Sequence, residues 1–335
     1  GMVGLRERGY RLSVITPGID VDAAVRILTE LGPQYEQVVL AGYPASIKDV
    51  LDRSGQDALA QDIKILLAGE AITESWRDHV LGRIGRRDQP ERVCLIYGTA
   101  EAGVMGHETP LTAQLRRRAT VDPVLNAQLF GENATRQPTF VEFDPQSRFT
   151  ETDDEGFQLF TIDSSLPLIR YRINDKGNVL SGLDLRRIVD ACGHEDLGEW
   201  IDPAAGFLVL AGRPDVAASF YGLNIYPGDL HEAFDADEVV DHVTGRFVMD
   251  PAEDGDLNQI LVIAVELGES SDYSDTLDQA LIAECVAALT RNNNEFRALR
   301  SHYGERTTPQ IRFYTYGTGP FLPGGPKNDY ARPVG

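Results

Sequence analysis

Apolar residues in the first hundred positions form short blocks, and between the blocks they recur every three or four residues. The blocks at 12–15, 37–42, 63–69 and 92–98 are typical of buried strands bounded by turn residues. The intervening segments 21–31, 46–51 and 74–84 have helical spacing, and Thr73 is placed to cap the last of them. Strands alternating with helices through short links predict right-handed crossovers and a parallel sheet.

The pattern changes near Pro138, where short strand-like blocks at 139–143, 157–162 and 168–172 are separated by turns, and 207–212 adds one more. Such blocks favour antiparallel strands, so we expect a small antiparallel sheet or barrel here.

The pattern resets after Gly212 and indicates a compact α+β unit. Its predicted elements are a strand or hairpin at 220–227, helices at 230–234 and 277–289, and strands at 260–265 and 310–314. The acidic stretch 266–275 is expected to be a solvated loop. The predicted fold class is therefore α/β: a large domain (1–212) with a parallel-sheet part and an antiparallel part, then a small mobile α+β domain (213–335).

Composition narrows the possible functions. The 335 residues include 52 acidic and 31 basic side chains, a net charge of −21, with 42% hydrophobic residues. This composition excludes wholesale disorder, and the charge argues against nucleic acid or an anionic membrane as a partner. No apolar run approaches the roughly 20 residues of a membrane span. The three cysteines form no C-x-x-C pair, which favours a cytoplasmic location.

Two candidate segments follow predicted parallel strands, where such sheets place ligand sites. Gly69-Glu70-Ala71 offers a flat backbone that could accept a planar ring, although a plain strand-to-helix turn would have the same sequence. In Tyr97-Gly98-Thr99-Ala100-Glu101, Glu101 is a hard oxygen donor suited to Mg²⁺ and Thr99 could meet a phosphate. A glycine-rich turn with a solvated glutamate is the alternative.

Two further segments lie later in the chain. Asp175, just past the predicted strand at 168–172, could accept two hydrogen bonds from a ribose diol, or it could simply form a turn with Asn174. Asp215, in Gly212-Arg213-Pro214-Asp215, falls on the domain boundary and could serve as a hinge. The basic run 116–118 could meet the phosphates of a ligand such as CoA, but a solvated helix face is expected.

Taken in order, these segments resemble the motifs of the adenylate-forming enzymes of the acyl-CoA synthetase superfamily, closest to the phenylacetate–CoA ligase branch. The matching segments are Gly-Tyr-Pro-Ala-Ser at 42–46, the Gly-Glu-Pro-like 69–71, the Tyr-Gly-x-Thr-Glu-like 97–101, the Ile-Arg-Tyr-Arg-x-x-Asp-like 169–175, the hinge region 212–227, and the lysine loop Pro-Gly-Gly-Pro-Lys at 323–327.

The resemblance implies two half-reactions. A carboxylic acid, aromatic in the branch it resembles, attacks the α-phosphate of ATP to give an acyl-adenylate, and CoA or another acceptor such as a protein thiol or an amine then displaces AMP. The resemblance implies that the nucleotide is lined by Gly69, Glu70, Ala71, Tyr97 and Gly98, and that its ribose is held by Asp175 with Arg213 nearby. It implies that Thr99 faces phosphate and Glu101 holds Mg²⁺. It also implies that Lys327 bridges carboxylate and phosphate oxygens and that Asp215 is the pivot of the small domain.

Two departures keep a second hypothesis open. The family's Ser/Thr/Gly-rich phosphate-cradling loop has no counterpart before residue 42, and Ala100 stands where the family has a hydroxyl residue. The alternative is therefore a catalytically weakened member that binds nucleotide or an acyl ligand without turnover.

Overall fold

The computed structural model describes residues 8–18, 20–131, 137–212 and 217–322. Its α-helices are α1 (Val21–Glu30), α2 (Pro44–Arg53), α3 (Gln56–Leu59), α4 (Glu74–Arg83), α5 (Pro110–Ala119), α6 (Pro123–Phe130), α7 (Gly182–Ala191), α8 (Glu195–Gly198), α9 (His231–Phe234), α10 (Asp275–Asn292) and α11 (Asn294–Tyr303). Single 3₁₀ turns occur at Gly32–Gln34, Pro90–Arg92, Pro227–Asp229, Gly304–Thr307 and Gly319–Phe321.

The strands are β1 (Val38–Gly42), β2 (Ile63–Ala68), β3 (Val93–Thr99), β4 (Gly103–His107), β5 (Thr139–Phe143), β6 (Phe149–Thr152), β7 (Phe157–Ile162), β8 (Leu168–Ser181), β9 (Gly206–Gly212), β10 (Ala218–Phe220), β11 (Leu223–Ile225), β12 (Val243–Glu253), β13 (Gln259–Leu267) and β14 (Gln310–Tyr314).

A single large sheet runs through the N-terminal two thirds of the described chain, in the order β1-β2-β3-β4-β5-β9-β8-β7-β6. The pairs β1–β2 and β2–β3 are parallel, as the alternation of strands and helices predicts. Leu40 lies opposite Ile65, and Leu67 lies opposite Leu95. The remaining pairs are antiparallel. The predicted antiparallel part is confirmed, and it belongs to the same sheet as the parallel part: β4 turns back from β3 and joins the two, pairing with β5 at His107 and Glu142.

Most of the predicted helices and strands are confirmed, but three local predictions are wrong. Residues 12–15 form no strand, and Val14 and Ile15 are exposed. The strand predicted at 168–172 continues to Ser181, so Asp175 lies inside β8 rather than beyond its end. Glu266, predicted to begin a solvated loop, lies inside β13 in a buried position, where its carboxylate accepts hydrogen bonds from Arg246 and Thr244.

The C-terminal part has its own three-stranded sheet, in which β12 is antiparallel and β14 parallel to β13. The hairpin β10–β11 pairs Phe220 with Leu223. One continuous apolar core includes Leu51 and Trp76 from the N-terminal part with Phe220, Ile263 and Phe296 from the C-terminal part. The two parts on either side of residue 212 are therefore packed together through buried apolar side chains. No helix among the described residues has the length and apolar character needed to cross a membrane.

Candidate functional site

Tyr97 and Asp175 come from strands that are not neighbours in the sheet, yet they meet. The Tyr97 hydroxyl donates a hydrogen bond of 2.8 Å to Asp175 Oδ2. Asp175 is buried, and the Tyr97 ring packs edge-on against Phe160 of β7. The large sheet is thus curved enough to bring the second and third candidate segments together.

The turn between β3 and β4 explains the residue types of the segment Tyr97–Glu101. A Cβ on Gly98 would collide with the backbone of Gly103, so the close return of β4 requires glycine there. The Thr99 hydroxyl accepts a hydrogen bond of 3.0 Å from the Ala102 amide and fixes the turn. Its O–H hydrogen remains able to donate to an anionic group.

Glu101 projects from this turn and is exposed. Within the part of the chain that the structure describes, no three His, Cys, Asp or Glu side chains converge as a metal cluster. Mg²⁺ is commonly held in nucleotide sites by one or two carboxylates together with substrate phosphates and waters. A single exposed carboxylate at Glu101 fits that mode of binding.

The segment Gly69–Ala71 leaves β2 toward the C-terminal part. Gly69 has a φ of +89°, and a Cβ there would lie 2.6 Å from Cε1 of Tyr43. The Tyr43 ring also lies against Gly222, whose φ is +80°. Glycine is needed at both positions because of the left-handed backbone and the aromatic ring between them.

The carboxylate of Glu70 is bound by the C-terminal part. Its Oε1 accepts hydrogen bonds from the Gly222 amide at 2.6 Å, from Ser219 Oγ at 3.2 Å and from Gln259 Nε2 at 3.2 Å. A cavity of about 20 Å³, room for about one water molecule, lies beside it and is lined by Ala71, Trp76 and other residues. These hydrogen bonds join Glu70 to the hairpin β10–β11. The role of the Gly69–Ala71 segment in facing an adenine stays a prediction.

Thr73 caps α4 as predicted: its hydroxyl oxygen accepts from the Trp76 amide at 3.1 Å. The same hydroxyl donates to Glu253 Oε2 of β12 at 3.2 Å. The helix that follows the Gly69–Ala71 segment is therefore anchored at its first turn to the C-terminal part.

The expectation of a solvated face for residues 116–118 is wrong at its first position. Arg116 is fully buried and bonded to Glu108, whereas Arg117 and Arg118 are partly exposed and pair with Asp78 and Asp196. Sequence reasoning missed Glu108 altogether, because a single glutamate after a glycine-rich strand carries no signal of burial. Arg213, Asp215 and Lys327 lie outside the described residues.

No family model and no curated protein matches this chain. Solved structures similar to it include the amide bond synthetase McbA from Marinactinospora thermotolerans, at 17% identity and a TM-score of 0.46, covering 92% of this chain and 53% of that one. A double mutant of o-succinylbenzoate CoA synthetase (MenE) from Bacillus subtilis is similar at 12% identity and a TM-score of 0.45, covering 89% and 51%.

A malonyl-CoA ligase with methylmalonyl-CoA and AMP bound is similar at 14% identity and a TM-score of 0.43, covering 88% of this chain and 54% of that one. The chain spans about half the length of these solved structures. This likeness is one of fold alone, and it singles out no branch of a family.

Proposed function

We propose that this chain takes part in ATP-dependent activation of a carboxylic acid as an acyl-adenylate, followed by transfer to CoA or another acceptor. The observation that carries the proposal is the hydrogen bond between Tyr97 and Asp175. The two residues belong to separate motif-like segments, 78 positions apart, that the adenylation chemistry needs at one nucleotide site.

A buried carboxylate on a curved sheet suits recognition of a ribose. Each carboxylate group can accept several hydrogen bonds, so the bond from Tyr97 is compatible with bonds from the hydroxyls of a diol. Charge-assisted bonds of this kind are stronger than neutral ones. Tyr97, held in place by Phe160, would orient the carboxylate and present its own ring to the base.

The phosphates would lie toward the β3–β4 turn. Thr99 could donate its hydroxyl to a phosphate oxygen, and Glu101 could hold Mg²⁺, which neutralises phosphate charge when it is bound. We retain for Lys327, Arg213 and Asp215 the roles predicted from the sequence: bridging of carboxylate and phosphate oxygens, a contact near the ribose, and the pivot of the C-terminal domain. An aromatic acid remains our proposed substrate, because the motifs resemble the phenylacetate–CoA ligase branch most.

Calorimetric titration with AMP tests the nucleotide site. We expect Asp175→Asn to weaken AMP binding by tens of fold, since losing a charge-assisted bond pair costs on the order of 2–3 kcal/mol. Tyr97→Phe should weaken it by a smaller factor, because the carboxylate loses only its orienting donor. Asp163→Asn, at an exposed turn before β8, is the control and should leave the affinity unchanged. Equal AMP affinity for wild type and Asp175→Asn would refute the assignment.

A catalytically weakened nucleotide- or acyl-binding protein is the second candidate, and Ala100 favours it, because the exposed turn carries no hydroxyl at that position. The two candidates are separated by ATP–pyrophosphate exchange in the presence of aryl and aliphatic acids. The ligase predicts acid-dependent exchange that Lys327→Ala abolishes. AMP binding without exchange for any acid would favour the second candidate.

A further inference from the structure

Four charged side chains with no role in the proposed chemistry are buried behind the candidate site. They are Glu74 and Arg77 of α4, Glu108 and Arg116, and we call them the buried ion cluster. Both arginines are 0% exposed, Glu108 is 4% exposed and Glu74 is 8% exposed. Charged residues are seldom so completely enclosed unless they are paired.

Within the cluster, the charges are paired at short distances. Glu108 Oε1 accepts from Arg77 Nη2 at 2.6 Å and from Arg116 Nη1 at 2.9 Å. Arg77 Nε lies 3.1 Å from both carboxylate oxygens of Glu74. Burial opposes the charged form, but the charges of Glu108 and Glu74 outweigh it and raise the pKa of Arg77, so the guanidinium remains charged.

The cluster also bonds to the backbone next to two of the candidate segments, 69–71 and 97–101. Arg116 Nη2 donates to the carbonyl oxygen of Ile72 at 2.6 Å, immediately after Gly69–Ala71. Glu108 Oε2 accepts from the amide of Leu95 at 3.0 Å, two residues before Tyr97. One carboxylate–guanidinium pair therefore joins the segment that follows β2 to the strand that carries Tyr97.

Stability alone does not account for this arrangement. Removing two ion pairs from water is costly, and well-packed apolar residues of similar volume are often neutral or stabilising in their place. Apolar side chains, however, cannot donate a hydrogen bond to the Ile72 carbonyl or accept one from the Leu95 amide. Fixing those two backbone groups is the contribution that only the polar side chains supply.

We propose that Arg116 is a positioning residue of the candidate nucleotide site: paired with Glu108, it fixes the 69–72 segment relative to β3 through the Ile72 carbonyl. The inference rests on the proposed function for its link to AMP. The fixing of the segment is a property of the protein without any ligand, so it can be tested separately.

Arg116→Lys is the informative variant. Lysine keeps the positive charge beside Glu108, but its single ammonium group cannot serve Glu108 and Ile72 in the forked geometry of a guanidinium. Arg118→Lys is the matched control, because Arg118 lies on the same helix and pairs with Asp196 at the surface.

Trp76 provides the readout that needs no ligand. It is buried beside Ala71 and Ile72, and the only other tryptophan, Trp200, is 56% exposed and can be replaced by phenylalanine. In this Trp200→Phe background, we expect Arg116→Lys to raise acrylamide quenching of Trp76 fluorescence at least threefold and Arg118→Lys to leave it unchanged. AMP affinity, measured by calorimetry, should fall five- to twentyfold for Arg116→Lys only.

Unchanged quenching in folded Arg116→Lys would overturn the proposal, as would increased quenching with unchanged AMP affinity, which would leave Arg116 a purely structural role. If wild type binds no AMP, the proposed function fails, and the quenching comparison alone decides whether Arg116 fixes the segment. If Arg116→Lys does not fold, the double variant Glu108→Gln/Arg116→Gln replaces it. That variant leaves the Arg77–Glu74 pair neutral overall and is expected to raise quenching in the same way.

Discussion

The buried ion cluster and the contact between the two parts of the chain both depend on a carboxylate–guanidinium pair, but the two regions differ in solvation. We call the second region the seam, and define it by Asp49 and Glu70 on the N-terminal side with Tyr221, Gln259 and Arg306 on the C-terminal side. Arg306 donates to both oxygens of Asp49, at 2.9 and 3.0 Å. The Arg306 side chain is 36% exposed, whereas the arginines of the cluster have no exposure.

This difference determines what each region can do. A cluster charge that loses its partner has no water to replace it, so the cluster is fixed in one arrangement. In the seam, the Arg306 guanidinium is 36% exposed and can be hydrated when it loses its partner, whereas Asp49 is only 7% exposed. Breaking the seam pair therefore costs less than breaking the cluster on the arginine side alone. The cluster is suited to holding the backbone of a site, and the seam is suited to a contact that changes, although the apolar core beneath it opposes separation.

The largest effect is expected from breaking the cluster. Glu108→Gln removes a carboxylate that is hydrogen-bonded to both buried arginines, and breaking a buried pair costs about 3–5 kcal/mol of unfolding free energy. Urea denaturation followed by circular dichroism measures this loss. Glu305→Gln, at a carboxylate that is 89% exposed and paired with Arg300, should change stability by less than about 0.5 kcal/mol. A loss below about 1 kcal/mol for Glu108→Gln would contradict the contrast between the regions.

The seam should give an intermediate effect, best measured as a double-mutant cycle. Asp49→Asn, Arg306→Gln and the double variant should yield a coupling free energy of about 1–3 kcal/mol, because the pair is bidentate but partly hydrated. The surface pair Arg291–Glu232, which lies wholly in the C-terminal part, is the matched reference and should couple by less than about 0.5 kcal/mol. If the two cycles give equal coupling, the Asp49–Arg306 pair is no more than a surface ion pair.

Glu70 offers a smaller perturbation of the same seam. Glu70→Gln keeps the side-chain shape and weakens the bond from the Gly222 amide, because the acceptor is no longer charged. We expect the free energy of unfolding to fall by about 1 kcal/mol, the typical contribution of one hydrogen bond. Thermal unfolding is the measurement, with the exposed Glu91→Gln as the control. An unchanged melting temperature would show that the carboxylate charge adds nothing to the contact.

The sequence predicted the parallel strands well because each is an apolar block whose residues face a helix-covered core. It did not predict β4, since Gly103 and Gly106 interrupt any alternation. Gly106 is required by the close approach of the Glu142 backbone, and Gly103 is favoured by its left-handed φ of +69°. It also missed β12, where Asp250 and Pro251 break the apolar run.

The candidate site was predicted only in part, because the sequence shows local motifs but not the tertiary contacts between them. Strand-end motifs signal ligands locally, so Tyr97 and Asp175 could each be selected from the sequence. Their meeting depends on the curvature of a sheet whose connection through β4 was not foreseen. The burial of Arg116 and Glu108 could not be predicted, because a charged residue acquires a buried partner only through tertiary packing.

The smallest of the expected differences between the two regions is measured by alkaline titration. One weak acid lies beside the cluster and one lies in the seam, and the folded structure raises the pKa of each. Burial, and then the charge of Glu108, raises the pKa of Cys94 from 9.0 to about 11 beside the cluster. Burial raises the pKa of Tyr221 from 10.0 to about 12 in the seam, where nearby Arg306 lowers it and Asp49 raises it. Both folded-state pKa values exceed the unfolded ones, so the folded state binds the protons more tightly.

The stability that these groups contribute is therefore complete below pH 9 and is lost as the pH rises through 9–11 for Cys94 and 10–12 for Tyr221. At pH 7 both groups are protonated in the folded and the unfolded state, so their titration does not affect stability there. Urea midpoints measured from pH 8 to 11 should fall less steeply above pH 9 for Cys94→Ala than for wild type, whereas Tyr221→Phe should flatten the curve only above pH 10. The remaining cysteines are common to all three proteins and cancel in the comparison. Parallel curves for Cys94→Ala and wild type would mean that the thiol beside the cluster is hydrated in the folded state, and the cluster would then be as accessible to water as the seam.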